Sequence, residues 1–146
     1  MNRKEKRQAR IVTLQAIYAN EVSGVDLEDM LAHMADEFSL DHNNSIILYS
    51  SKLSKLTIKN KVEIDQIIIS HSKNWDFKRI ALIDRLILRI ELTEMIYVDE
   101  VPHKVSITEG VEIAKEYSTD DSGGFVNGIL DAVYNDSLKE LIKLEK

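Results

Sequence analysis

The stretch "KRIALIDRLILRIELTEMIY" (Lys78–Tyr97) decides the fold. Ile80, Ile83, Leu86, Ile87 and Ile90 recur at three- and four-residue spacing, and Leu82 and Leu88 widen the stripe. That period is helical. A helix so broadly apolar belongs at the centre of a bundle rather than on its surface. The spacing predicts a helix over 78–97, with Pro102 marking the stop after it.

On the C-terminal side, "SITE" (Ser106–Glu109) has the form of a capping box, in which the Ser hydroxyl and the Glu carboxylate satisfy each other's backbone N–H. Ile107, Val111, Ala114 and Tyr117 follow on one side of the expected helix. After "STDD" (Ser118–Asp121), with Asp120 or Asp121 as cap, Val126, Ile129, Leu130 and Val133 mark another. Residues 136–146 continue in helix formers and are expected to fray at the end.

On the N-terminal side, "NWDFKR" (Asn74–Arg79) is a turn with Asp76 as a cap. Ile67–Ile69 is β-branched and would suit a strand. Val62, Gln66 and Ile69 share a helical face, however, and no partner strand is visible, so 62–70 is taken as helix. A helix over Ile46–Ile58 follows a polar loop and cap at Asp41–Ser45. A short helix capped by Asp26 carries Leu27, Met30, Leu31 and Met34. The first helix carries Ile11, Leu14, Tyr18 and Val22 and ends at Ser23-Gly24. Only five Gly and one Pro interrupt 146 residues, which favours long helices. The expected fold is all-α, with about seven helices.

The length suits one domain, expected as a basic arm over 1–10 and a single all-helical domain over 11–146. There is no Cys, so disulfides and thiolate zinc sites are excluded. No secretory signal pattern and no long apolar run occurs, so a cytoplasmic location is expected, with no membrane partner. His33, His42, His71 and His103 form no i, i+4 metal pair, and no Walker A loop or G-x-S-x-G turn occurs. No catalytic residue, metal or cofactor is therefore expected.

Charge is segregated. Arg3, Lys4, Lys6, Arg7 and Arg10, offset by Glu5, give residues 1–10 a formal +4 in a chain of −6, leaving −10 elsewhere. On a helix, Arg3, Lys6, Arg7 and Arg10 share an arc of about 100°. Cations at a helix N-terminus oppose its dipole. The arm is thus expected to fray when free, and nucleic-acid phosphates would relieve both the repulsion and the dipole cost. A plain solubilising role for these charges is the alternative.

Three stretches then carry a family resemblance. They are "RQARIVTLQAIY" (Arg7–Tyr18), "LILRIELTEM" (Leu86–Met95) with "VPHKVSITEGVEIAKEY" (Val101–Tyr117), and "DSGGFVNGILD" (Asp121–Asp131). In this order they resemble the NusB family of bacterial transcription antitermination factors. The likeness covers the first 18 residues and roughly 80–134, and little of 23–75. It implies two small helical bundles and no enzymatic activity. It also implies binding of single-stranded boxA-type leader RNA together with NusE, a ribosomal protein of the small subunit. The implied role is to help RNA polymerase, within its antitermination complex, read through terminators, notably in ribosomal RNA operons. A homodimer is possible, and a helical protein–protein adaptor without specific RNA binding is the alternative.

Arg3, Lys4, Lys6, Arg7 and Arg10 are the residues expected on phosphates, and Phe125 is the candidate stacking platform for a base, with a core Phe at the start of the last helix the competing reading. Asp121 would meet a base amino group or cap its helix. Tyr18, Asp84 and Arg85 match the NusE-contacting region, with core burial the competing reading for Tyr18 and plain solvated charge for Arg85 and Arg89. Asn127 and Gly128 are expected to serve packing, because a mid-helix Gly costs about 1 kcal/mol against Ala. Where the family usually has a basic residue before the signature Phe, this chain has Gly124, after Gly123. Gly110 stands where the family commonly has Ala, which is expected to weaken that helix slightly.

Overall fold

The computed structural model describes residues 1–138, and the expected fraying of the C-terminal end lies outside them from 139 onward. Seven α-helices and no strand occur among the described residues. They form two compact units, Met1–Lys59 and Asn60–Lys146.

The first unit holds α1 (Arg3–Ser23), α2 (Leu27–Glu37) and α3 (Ser45–Lys59). The helix α1 crosses residue 10 without a break, so the basic segment is its first two turns. It is helical rather than frayed because Asn2 and Glu5 form a capping box. The Glu5 N–H donates to Asn2 Oδ1 at 2.8 Å, and the Asn2 N–H donates to Glu5 Oε1 at 3.0 Å. Gly24 ends the helix with φ 68°, a left-handed conformation that suits Gly. Asp26 caps α2, accepting from the Asp29 N–H at 3.2 Å. Ala9, Val12 and Ala16 of α1 meet Leu31, Met34 and Ala35 of α2 and Ile46 and Ile47 of α3 in one core. The Ser50 hydroxyl, 2.8 Å from the Ala9 carbonyl, ties α3 to α1.

The second unit holds α4 (Lys61–Ser70), a 3₁₀ turn (Phe77–Arg79), α5 (Leu82–Tyr97), α6 (His103–Tyr117) and α7 (Ser122–Val133). The helix α5 packs on α4, α6 and α7. Its Leu86, Ile87, Leu88, Ile90, Leu92 and Met95 are all buried, each contributing about 2 kcal/mol of apolar burial. It begins at Leu82 rather than 78, because Asp76 accepts from the Lys78 N–H at 3.1 Å and holds the preceding residues in the 3₁₀ turn.

The helix read over 62–70 is present as α4; its buried residues are Ile64 and Ile68, while Val62, Gln66 and Ile69 share its exposed face. Only the face toward α5 is covered, and the β-branched run spans both faces. Two local expectations are corrected. The Ser106–Glu109 pair is not a capping box. Pro102 caps α6, whose helical residues begin at His103, and the buried Ser106 hydroxyl donates to Glu94 Oε1 at 2.6 Å. Neither Asp120 nor Asp121 caps α7 through its side chain. Asp121 takes the cap position without a side-chain hydrogen bond.

Gly110 has a packing reason. A Cβ there would lie 2.8 Å from Glu91 Cγ and 3.3 Å from Leu130 Cδ1. The absent side chain lets α6 approach α5 and α7 closely.

Candidate nucleic-acid interface

In the first unit, Arg3 and Lys4 are exposed, and Lys6 and Arg7 are half-buried. Arg10 is only 2% exposed. Its expected role on a phosphate is corrected by that burial. From Ala9 onward α1 is covered on most of its circumference, with Ala9, Val12, Thr13, Leu14, Ala16 and Ile17 all inside. The arc that is open at Arg3 has closed by Arg10. Tyr18 lies on the apolar stripe yet is 40% exposed, leaving its ring available to a partner.

In the second unit, the segment after α4 and the first two turns of α7 enclose a groove of about 790 Å³. Lys73, Trp75 and Arg79 of that segment and Gly124, Phe125 and Gly128 of α7 line it. The Trp75 and Phe125 rings meet edge to face, 5.5 Å between centroids at 72°, a favoured aromatic geometry. Phe125 is half-buried, whereas Trp75 is 59% exposed.

Asp84 also lines this groove, but from inside. At 7% exposure it is not a surface contact, which corrects its expected place on a protein-binding face. Its Oδ2 accepts from the Ser122 hydroxyl at 2.9 Å, fixing the start of α7 on α5. Ser122 Oγ in turn accepts from the Thr119 N–H at 3.2 Å and lies 2.9 Å from Ser118 Oγ. Asp121, one residue earlier, is exposed at the groove's rim.

Arg85 is half-buried, with its guanidinium 5.4 Å from the centre of the Phe77 ring, within cation–π range. Arg89, read as solvated, is buried. Its Nε donates to Asp65 Oδ1 at 2.7 Å and its Nη2 to Asp65 Oδ2 at 3.0 Å. This fork clips α4 to α5 just before the segment that carries Trp75.

A model described as the NusB family matches residues 7–135. The chain belongs to the NusB family. Transcription antitermination protein NusB of Salinibacter ruber (strain DSM 13855 / M31) is 44% identical over 131 residues, covering 90% of this chain and 81% of that protein. The structure of T. maritima NusB is 31% identical, with a TM-score of 0.82 over 94% of this chain and 96% of that one. A structure of antitermination factors NusB and NusE in complex with dsRNA shares the fold at 23% identity, with a TM-score of 0.76 over 92% and 98% of the two chains.

The NusB-family signature Phe125–Gly128 divides between core and groove. Val126 is buried, Phe125 is half-buried, and Asn127 and Gly128 are exposed. The packing role expected for Gly128 is corrected, because a Cβ there would meet nothing within 4 Å among the described residues. The same is true of Gly124. The NusB resemblance did not point to Trp75. Its only signal in the sequence is that the chain's single tryptophan falls in a turn, where no helix face calls for it. No helix among the described residues is long and apolar enough to cross a membrane.

Proposed function

We propose that this chain is a transcription antitermination factor of the cytoplasm. It binds boxA-type leader RNA together with NusE and helps RNA polymerase read through terminators, notably in ribosomal RNA operons. Its activity is binding, not catalysis.

The observation that carries the reading is the aromatic groove: an exposed Trp75 set against Phe125, with Lys73 and Arg79 beside them. Unstacked RNA bases stack on such rings, each worth about 1–3 kcal/mol. Phosphates are met by Arg3, Lys4, Lys6 and Arg7 on the first two turns of α1. The strongly acidic remainder of the chain disfavours indiscriminate polyanion binding. Asp121 is assigned to a base amino group, and Tyr18 and Arg85 are assigned to NusE. The family relative named for antitermination, and the family fold seen with NusE and dsRNA, support the same reading.

Fluorescence anisotropy with labelled boxA-type RNA and a scrambled control tests it, with and without NusE. Preference for boxA, strengthened by NusE and lost in an Arg3→Glu/Arg7→Glu variant, is the expected result. Equal binding of both RNAs, indifferent to the variant, would leave a helical adaptor instead.

A further inference from the structure

Gly124 and Gly128 lie one turn apart on α7, both line the groove, and neither has a neighbour among the described residues within 4 Å of where a Cβ would stand. Helix interiors disfavour glycine, and here no packing requires it. What the two glycines leave is a strip of bare helix backbone along one side of the groove, with the Trp75 and Phe125 rings beside it. A flat ring can approach such a strip closely.

The groove also contains unsatisfied polar chemistry. Asp84 and Ser72 both line it and are both more than nine-tenths buried. Asp84 Oδ1 and Ser72 Oγ have no hydrogen-bond partner among the described residues. A buried carboxylate oxygen left in that condition is costly. An N–H donor entering the groove would satisfy it after a small movement of the Asp84 side chain. Lys73 and Arg79 at the same groove supply positive charge for a phosphate attached to whatever enters.

We propose that this groove is a slot for one unstacked nucleobase bearing an exocyclic amino group. Gly124 and Gly128 form its floor, Trp75 its wall and Asp84 Oδ1 the acceptor for the amino N–H. The proposal rests on the RNA-binding reading and adds the residues that select the base. Cytosine and uracil have the same ring size and stack similarly, but uracil offers only its N3–H, flanked by two carbonyl oxygens that a carboxylate repels, whereas the cytosine amino group projects clear of the ring. The slot therefore favours cytosine over uracil.

Trp75 is the only tryptophan, so its emission reports on the slot directly. The experiment titrates the full chain with boxA-type RNA and with short oligo(C) and oligo(U). Anisotropy of the RNA and Trp75 emission are read together, for wild type and Gly128→Leu. Wild type is expected to show emission quenched on saturation by boxA RNA, and oligo(C) bound more tightly than oligo(U). Gly128→Leu fills open space, so its thermal melt should hold. Its RNA affinity should fall about tenfold or more, the loss of one stacked base, with the salt dependence set by the α1 arm unchanged. Gly128→Ala, a smaller and helix-favouring filler, should show the same direction with a lesser effect.

RNA that binds wild type without altering Trp75 emission would overturn the slot while leaving the RNA reading intact. So would a Gly128→Leu variant that binds like wild type, or equal affinity for oligo(C) and oligo(U). Emission that changes with protein concentration instead of RNA would assign the groove to a second copy of the chain and refute the slot. A wild type that binds none of the RNAs would refute the RNA reading itself.

Discussion

Asp65→Ala removes the bidentate partner of a guanidinium that is almost wholly inside the protein. The Arg89 side chain is 5% exposed and that of Asp65 15%. Truncating one member of a buried pair costs about 3–5 kcal/mol, because the remaining charge stays desolvated. Asp65 retains some contact with water, and the Phe77 ring stays 5.9 Å from the Arg89 guanidinium, so the lower end applies, about 3 kcal/mol. With a urea m-value of about 2 kcal/mol/M, the midpoint should fall by about 1.5 M. Helical circular dichroism during urea titration measures this. Replacing both partners, as Asp65→Leu/Arg89→Met, should restore stability to within about 1 kcal/mol of wild type, since the desolvation cost leaves with the charge. An Asp65→Ala midpoint indistinguishable from wild type would refute the reasoning. So would a double variant as unstable as the single one, which would show that α4 is held by shape and not by charge.

With Arg10 inside, four arm cations remain for a single strand, which predicts a log–log salt slope of about −2.8 from the arm and roughly a fifty-fold loss of affinity between 50 and 200 mM salt. Arg7→Gln should reduce the slope by about 0.7, read by anisotropy across a salt series. Gly124→Lys restores a cation at the position before Phe125, into open space. Its charge should steepen the salt slope by about 0.7, while its stem, standing on the proposed slot floor, should cost affinity at high salt where the charge is screened, with an unchanged slope counting against a phosphate beside that position. Gly110→Ala gains about 1 kcal/mol of helix propensity. It must nevertheless push aside the buried Glu91, an overpacking cost of about 1–3 kcal/mol. Net destabilisation of about 1 kcal/mol is expected on thermal or urea unfolding, and a stabilised variant would show that Glu91 yields easily.

Periodicity by itself was enough for the helices. Seven apolar stripes with few interruptions, a Gly after Ser23 and an Asp before Leu27 mark elements whose determinants are local: side-chain spacing, a cap, a left-handed residue. The basic character of the first turns was equally legible, since charge is a property of composition. Which side of each stripe would be covered was not. A stripe wider than one face, as in Ile67–Ile69 or around Arg10, leaves the buried arc to be chosen by the neighbouring helices. Asp84 and Arg89 show the same limit for polar residues. Both look like surface charge on an amphipathic helix, and both are buried because partners far along the chain, Ser122 and Asp65, supply their hydrogen bonds.

The groove depended most on tertiary structure. Trp75 and Phe125 lie 50 residues apart, and nothing local joins them. They meet because Asp65–Arg89 holds α4 to α5 and Asp84–Ser122 holds the start of α7 to the same helix. The sequence by itself determined the helices and the segregation of charge, because both follow from residue type and spacing along one chain. Tertiary structure decided which charges stayed in water, which glycines face open space and which aromatic rings meet, because burial is a property of what the other helices bring.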